Sequence, residues 1–310
     1  MQQEFYAHGK LLITGEYLIL QGAMGLAMPT RFGQRMLVEQ SDNSEHSIHW
    51  KSFTETNTLW LDVQFNANDL QVKASTAGTK EEISLLQQIL RQVRTQNPEY
   101  LKGQGAVTIN NHIEFPRDWG LGSSSTLLFN IARHAKVDAF ALNAAIFKGS
   151  GYDIACAGAK WPILYKLDDE GSVYDTVHFM PPAPEQLLFV HLGNKQNSRV
   201  AVDAFMAQGK AYTEEIETIS EISEALLFCD DPADFIQLLD EHEEVMQYVL
   251  QEEKIKSARF SDFPGSIKSL GAWGGDFILA AADMDNADLK KYFTTKGYSV
   301  HLDYLDMMLK

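Results

Sequence analysis

Pro116-Arg-Asp-Trp-Gly-Leu-Gly-Ser-Ser-Ser-Thr126 is the stretch on which the reading of this chain turns. It follows a strand-like run, residues 106–113, and opens into residues 127–133, which read as a helix. A turn rich in Gly and Ser between a strand and a helix N-terminus is a place to hold phosphate. Gly120 and Gly122 let the backbone approach a ligand and adopt positive φ. The first amides of the helix have no internal partner, and the helix dipole favours an anion there. Ser123, Ser124 and Ser125 add three hydroxyls for phosphate oxygens or a magnesium ion. A serine-capped helix after a plain turn would use the same residues, although one serine suffices for a cap. The stretch is not a P-loop, because no Gly-Lys-Ser/Thr ends it.

The 310 residues suffice for two modest domains or one large one. A formal net charge of −16 argues against a nucleic-acid footprint, which needs a basic face. It leaves an anionic small-molecule substrate open, since a local cluster can override the total. Cys156 and Cys229 have neither metal spacing nor the density of a disulfide scaffold, and both are expected as reduced core residues. No secretory leader and no bilayer-spanning apolar run is read, so a cytoplasmic protein without a membrane partner is expected, as monomer or homodimer.

Residues 5–20 read as two short strands around a turn, and 35–39, 46–50 and 59–65 as further strands. Helical spacing over 81–94 ends at Asn97-Pro98. Residues 142–147 and 154–159 read as short helices, 161–166 and 172–179 as strands. Pro181-Pro-Ala-Pro184 is the best linker signal. Beyond it come a buried strand at 187–192, helices at 198–207, 213–228 and 233–250, a strand at 277–281, a helix at 287–293 and a strand at 298–302. The second and third of those long helices are acidic on their polar faces, which read as solvated surface. The pattern suits an α+β layer fold divided into residues 1–180 and 185–310.

Three more segments carry chemistry. In Gly9-Lys-Leu-Leu-Ile-Thr-Gly-Glu-Tyr17, Lys10 begins a buried-looking strand, where its charge is costly unless paired. It is either a fixed cation for an anion or a side chain snorkelling from a strand end. In Gly149-Ser-Gly-Tyr-Asp-Ile-Ala155, Asp153 is either a helix cap or a general base beside a reacting hydroxyl. In Lys268-Ser-Leu-Gly-Ala-Trp-Gly-Gly-Asp-Phe277, the glycines at a strand entrance allow close approach to an anion, or form only a tight turn.

Taken in chain order, Lys10 to Tyr17, Pro116 to Ser125, Gly149 to Ala155 and Gly271 to Asp276 resemble the segments of the GHMP kinase superfamily: galactokinase, homoserine, mevalonate and phosphomevalonate kinases. The resemblance implies an α+β GHMP kinase fold, with an N-terminal ribosomal protein S5 domain 2-like domain and a C-terminal ferredoxin-like domain. It implies ATP and Mg2+ as cofactors, with ATP phosphates at Gly120, Leu121, Gly122, Ser123, Ser124 and Ser125, and Ser124 facing the magnesium. It implies Asp153 as the base on the substrate hydroxyl with Lys10 near it. Gly-Glu-Tyr, Gly-Ser-Gly-Tyr-Asp-Ile-Ala and Gly-Gly-Asp are similar to the mevalonate branch, phosphomevalonate kinase in particular. On that basis Glu16, Tyr17, Gly151, Tyr152, Gly274, Gly275 and Asp276 are substrate-site candidates. Residues 194–200 are similar to a segment of both enzymes and add Lys195, Ser198 and Arg199 as a grip on a carboxylate or phosphate, or else as the start of a helix.

The departures are specific. Trp273 stands where the last motif has glycine, and Leu270 where Ser or Thr is usual. No carboxylate stands about ten residues before Asp153, where mevalonate kinase keeps a magnesium-binding Glu; Leu142 and Asn143 are there, leaving Asp118 and Glu16 as candidate acids. The implied activity is γ-phosphoryl transfer from ATP to phosphomevalonate or mevalonate. The alternatives are a homoserine- or sugar-type kinase of the superfamily and a degenerate member that binds nucleotide or metabolite without transfer.

Overall fold

The computed structural model describes residues 2–41, 46–103, 105–168, 171–193, 198–273 and 275–309. In chain order the elements are β1 (Gln2–Leu12), β2 (Gly25–Ser41), β3 (Ser47–Phe53), β4 (Leu59–Asn66), β5 (Val72–Ala77), α1 (Lys80–Gln96), β6 (Ala106–Ile113), α2 (Ser123–Ala135), α3 (Ala139–Ile146), α4 (Tyr152–Gly158), β7 (Ile163–Asp168) and β8 (Gly171–Thr176). Then follow β9 (Leu187–His191), α5 (Ser198–Ala207), α6 (Thr213–Phe228), α7 (Pro232–Leu250), α8 (Ile255–Arg259), β10 (Ser266–Ser269), β11 (Phe277–Ala281), α9 (Asn286–Thr295), β12 (His301–Asp303) and α10 (Tyr304–Met307). The class is α+β, as expected.

Two expectations at the N-terminus change. Residues 5–20 are not two strands: β1 runs straight through Gly9, and the reversal comes at Gly15, whose φ is +94°. A Cβ at Gly15 would stand 2.9 Å from the Gly25 Cα, so two backbones meet where neither has a side chain. Likewise β2 is one strand of 17 residues that includes Pro29. Pro29 lies between the pairing of Gly25–Ala27 with β7 and that of Gln34–Ser41 with β6, where its missing N–H breaks neither ladder.

The chain packs into two compact units. One comprises Met1–Gly9, Phe32–Arg117 and Leu121–Gly158; the other comprises Lys10–Arg31, Asp118–Gly120 and Ala159–Lys310. The boundary expected at 180–185 falls inside the second, because β1 and β2 each run through parts of both.

In the first unit the strands lie in the order β5-β4-β3-β6-β2, with β3 and β6 parallel and the other pairs antiparallel. Alternation along β3, β4 and β6 sends Ile48, Trp50, Val63, Phe65, Val107 and Ile109 into a core shared with α1 and α2. Helix α1 starts on a capping box in which Thr79 and Glu82 satisfy each other's backbone amides. Helix α4 is built of small residues and packs on α2 so closely that a Cβ at Gly158 would lie 2.5 Å from the Phe129 ring.

In the second unit an antiparallel sheet has the order β10-β11-β9-β12. Its apolar residues, among them Val190, Ile267 and Ile278, share a core with Phe260 and Phe293. Helix α7 packs on β10 and against α6. Cys156 is buried as expected; Cys229 is only half-buried, at the end of α6. No described helix is long and apolar enough to cross a membrane.

Candidate active site

The glycine- and serine-rich stretch does what its composition asks. Gly120 and Gly122 have φ of +67° and +87°. Gly122 occupies the N-cap position of α2 in the left-handed region, and no side chain caps the helix. The serine-capped reading is therefore replaced: the cap is a glycine, and the first amides of α2 are left without a side-chain acceptor. Ser124 is exposed on the first turn, while Ser123 is half-buried. Ser125 is different. It is buried, and its Oγ donates to the Gly122 carbonyl at 2.8 Å, so it shapes the turn from within. Leu121 is buried too and can offer a ligand only its backbone. Thr126 Oγ1 donates to Gln34 Oε1 at 2.7 Å, and Asn130 Nδ2 to the Gln34 carbonyl at 2.8 Å. These two bonds fix the start of α2 against β2 within the first unit. Upstream, Arg117 pairs with Glu82 at 2.7 Å and lies 3.7 Å over the Trp60 ring.

Asp153 belongs to the same unit. It is the second residue of α4, after Gly151 with φ of +94°, whose carbonyl accepts from the Ile154 and Ala155 amides. Asp153 thus sits inside the helix rather than at the position of a capping residue, and its side chain is half-buried. Tyr152, the first residue of α4, is half-buried as well.

The second unit holds the other motifs. Lys10 is near the end of β1, not its beginning, and is only 9 % exposed, which does not fit a snorkelling side chain. Tyr17 has φ of +60°, an uncommon conformation for a bulky residue, and its ring lies 5.3 Å from that of Phe205 in α5. Burial holds the Tyr17 phenol well above its ordinary range, and the charges of Glu252, Glu16 and Asp276 add to this.

Glu16 is not presented to a ligand. It is buried, and Lys268 Nζ donates to its Oε1 at 2.7 Å. The same ammonium donates to the Ser269 carbonyl at 2.6 Å and lies 3.3 Å from Glu243 Oε1. Glu243 in turn accepts from the Ser269 amide and hydroxyl, each at 3.1 Å. His242 completes the cluster: its Nε2 is 3.2 Å from Glu16 Oε2 and accepts from the Gly15 amide at 3.1 Å. Burial lowers the His242 ring to about 4, with the Lys268 charge acting in the same direction, so it is neutral near pH 7. Burial would raise the Glu16 carboxyl, but the Lys268 ammonium outweighs it and holds the group below the usual range. Glu243 goes the other way. Burial pushes it up to about 7, against a smaller downward pull from Lys268.

The sequence reading missed this cluster: it took the acidic polar face of α7 as solvated and did not place Glu243 on the buried face. The signal was present: Glu243 falls on the stripe Phe235, Leu239, His242, Met246, Val249, which is the buried face of the helix.

The last glycine segment is partly described. Gly274 and Lys195 lie outside the described residues, as do the side chains of Ser198 and Arg199. Residue 198 does open α5, in line with the helix-start reading of that segment. Trp273 is buried with φ of +46°, a left-handed conformation that glycine adopts without strain and that costs other residues about 1–3 kcal/mol. Gly275 and Leu270 are buried, and the Leu270 amide donates to the Phe277 carbonyl at 3.1 Å.

Residues 118–120 pack on this segment's own unit. His191 Nε2 is 3.3 Å from the Asp118 carbonyl, and Trp119 meets Phe277 edge-on at 5.4 Å. At Gly120 the contact is with Asp276: a Cβ there would stand 2.2 Å from Asp276 Oδ2.

No family profile matches the sequence, and no curated protein matches it. Solved structures do. Streptococcus pneumoniae phosphomevalonate kinase, in complex with phosphomevalonate and AMPPNP, aligns over 97 % of this chain and 99 % of its own at 18 % identity and a TM-score of 0.67. Methanococcus jannaschii mevalonate kinase aligns over 97 % of both chains at 13 % identity and 0.69. Lactococcus lactis galactokinase, complexed with galactose, aligns over 99 % of this chain and 93 % of its own at 10 % identity and 0.64. The chain therefore has the fold that its four motifs implied, that of the GHMP kinase superfamily.

Proposed function

We propose that the protein is an ATP- and magnesium-dependent kinase that transfers the γ-phosphoryl group to the hydroxyl of a small acceptor of the mevalonate or phosphomevalonate type. The observation that carries this is the start of α2: two left-handed glycines, uncapped amides and the exposed Ser124 on one turn. Amides and dipole hold the polyphosphate there, and Asp153 takes the proton from the attacking hydroxyl. The residues fit a magnesium ion. Among the described residues no three His, Cys, Asp or Glu side chains gather as a metal cage. Magnesium bound with nucleotide needs few protein ligands, since phosphates and waters complete its shell. When bound, it neutralises charge on the phosphoryl oxygens, and positioning supplies much of the remaining rate.

Ser124→Ala is expected to weaken use of magnesium-ATP by about 1.5–3 kcal/mol, the range for a hydrogen bond to a charged group. Nucleotide titration of the variant checks this, and an unchanged affinity would remove Ser124 from the site. Lys195 and Arg199 are proposed as the cations that grip the acceptor. Removing their charges should raise the acceptor KM far more than the KM for ATP, and an unaltered acceptor KM would leave residues 194–200 as a helix start only.

The reading as a whole is tested by ADP release with mevalonate, phosphomevalonate, homoserine and galactose. Turnover with either of the first two supports it, and turnover with none of the four overturns it. A second reading, an amino-alcohol acceptor of the homoserine type, is favoured by the carboxylates of Glu252 and Asp276, whose charges act on Tyr17 and would draw an ammonium group. The same panel separates the two.

A further inference from the structure

Two buried asparagines of the first unit carry amide atoms that no described residue satisfies. Asn111 in β6 is 1 % exposed, and Asn130 in α2 is fully buried. Among the described residues neither Asn111 Oδ1 nor Asn111 Nδ2 has a hydrogen-bond partner, and Asn130 Oδ1 has none either. Folded chains pair nearly all such atoms, with protein or with ordered water. The strand register puts both side chains in one layer. Gln34 faces α2, since its Oε1 accepts from Thr126 and its carbonyl from Asn130 Nδ2. Met36, two residues further along β2, shares that face and packs in the core with Leu128 and Ile131 of α2. Asn111 lies opposite Met36 on one side and Ser52 of β3 on the other, so its side chain enters the same layer. The bond to Gln34 also settles which end of the Asn130 amide is nitrogen, and the atom left over is an acceptor. Gln34, which holds Asn130, is the diagonal neighbour of Asn111, and such neighbours stand about 7–8 Å apart. A buried polar gap of that kind suits one water, which bonds to about three otherwise unpaired groups.

We propose that the chain binds an internal water between β6 and α2, which accepts from Asn111 Nδ2 and donates to Asn130 Oδ1. Its second proton and the Ser52 hydroxyl are the donors beside Asn111 Oδ1; the Ser52 oxygen itself accepts from Trp50 Nε1 at 3.2 Å. The water joins the middle of the sheet to the helix that Thr126 and Asn130 already tie to Gln34. The test uses the full chain in two measurements. One is a crystal structure of the parent protein at a resolution that shows ordered waters. The other is urea unfolding of Asn111→Leu, a change that keeps the size of the side chain and removes its hydrogen bonding.

The crystal structure should show one density peak within hydrogen-bond distance of both Asn111 and Asn130. The leucine variant should lower the folded-to-unfolded ratio about 5- to 30-fold, because the water leaves with the Asn111 amide and Asn130 Oδ1 stays buried and unpaired. Without a water the sign reverses. The exchange would then replace two unpaired polar atoms by apolar carbon, and the variant would be more stable than the parent. Density in which the two amides bond directly, or in which only apolar atoms lie between them, overturns the assignment. So does a leucine variant as stable as the parent or more so. If Asn111→Leu does not fold, the crystal structure of the parent decides alone.

Discussion

Asp153→Asn is expected to lower kcat by about 10²–10⁴-fold, the usual worth of a positioned general base. The physical case is local. Gly151 takes the left-handed conformation and its carbonyl starts α4, so Asp153 is already inside the helix and is not needed as a cap. A carboxylate in the first turn also gains from the helix dipole, but over a helix of seven residues that is a stability effect of about 0.3–1 kcal/mol. The two roles predict different measurements. If Asp153 is the base, the amide variant keeps its nucleotide affinity and its unfolding midpoint while single-turnover transfer nearly stops. If it only steadies the helix, the midpoint falls and kcat stays. Rapid-quench kinetics beside urea unfolding on one preparation decides, and a kcat within about threefold of wild type would sink the catalytic role.

Legibility in the sequence followed the range of the interaction. The turn at Gly120 and Gly122 and the helices 198–207 and 213–228 were readable because they depend on residues a few positions apart, whereas α2 begins at Ser123, four residues before the helix read at 127–133. Ser125 was misread because three adjacent hydroxyls look alike in sequence, and only the helix geometry turns one of them back onto the Gly122 carbonyl. Residues 5–20 read as broken at both Gly9 and Gly15, yet a glycine within a strand need not bend it, and of the two only Gly15 carries a reversal, where Gly25 approaches from another strand. The contact of Asp276 with Gly120 joins residues 156 positions apart, and no local pattern announces it. Trp273 was flagged as an anomaly, and the structure gives the reason glycine is natural there: the φ of +46°.

Lys268→Met is expected to cost about 3–5 kcal/mol of folding stability, the range for leaving a buried charge without its partner. Lys268 is fully buried and is the cation within reach of two buried carboxylates, Glu16 at 2.7 Å and Glu243 at 3.3 Å. The loss should depend on pH in a definite direction. In the native chain Glu243 is raised from 4.5 to about 7, so the stability it contributes is full below 4.5 and is lost as pH rises to about 7. That span corresponds to roughly 3 kcal/mol. Glu16 is lowered, so its contribution is present above 4.5 and is lost only as pH falls through its depressed value. Without the ammonium both carboxyls are raised by burial, and each is tolerated only when protonated. The variant should therefore be least impaired near pH 5 and most impaired near pH 8. Glu243→Gln, which keeps an acceptor for Ser269 but cannot ionise, should flatten the decline of the parent protein between those values. Urea unfolding at pH 5 and pH 8 measures all three proteins. A penalty for Lys268→Met below about 1 kcal/mol at both pH values would show that Glu16 and Glu243 find other partners, and that Lys268 does not hold the segments at 16 and 269 together.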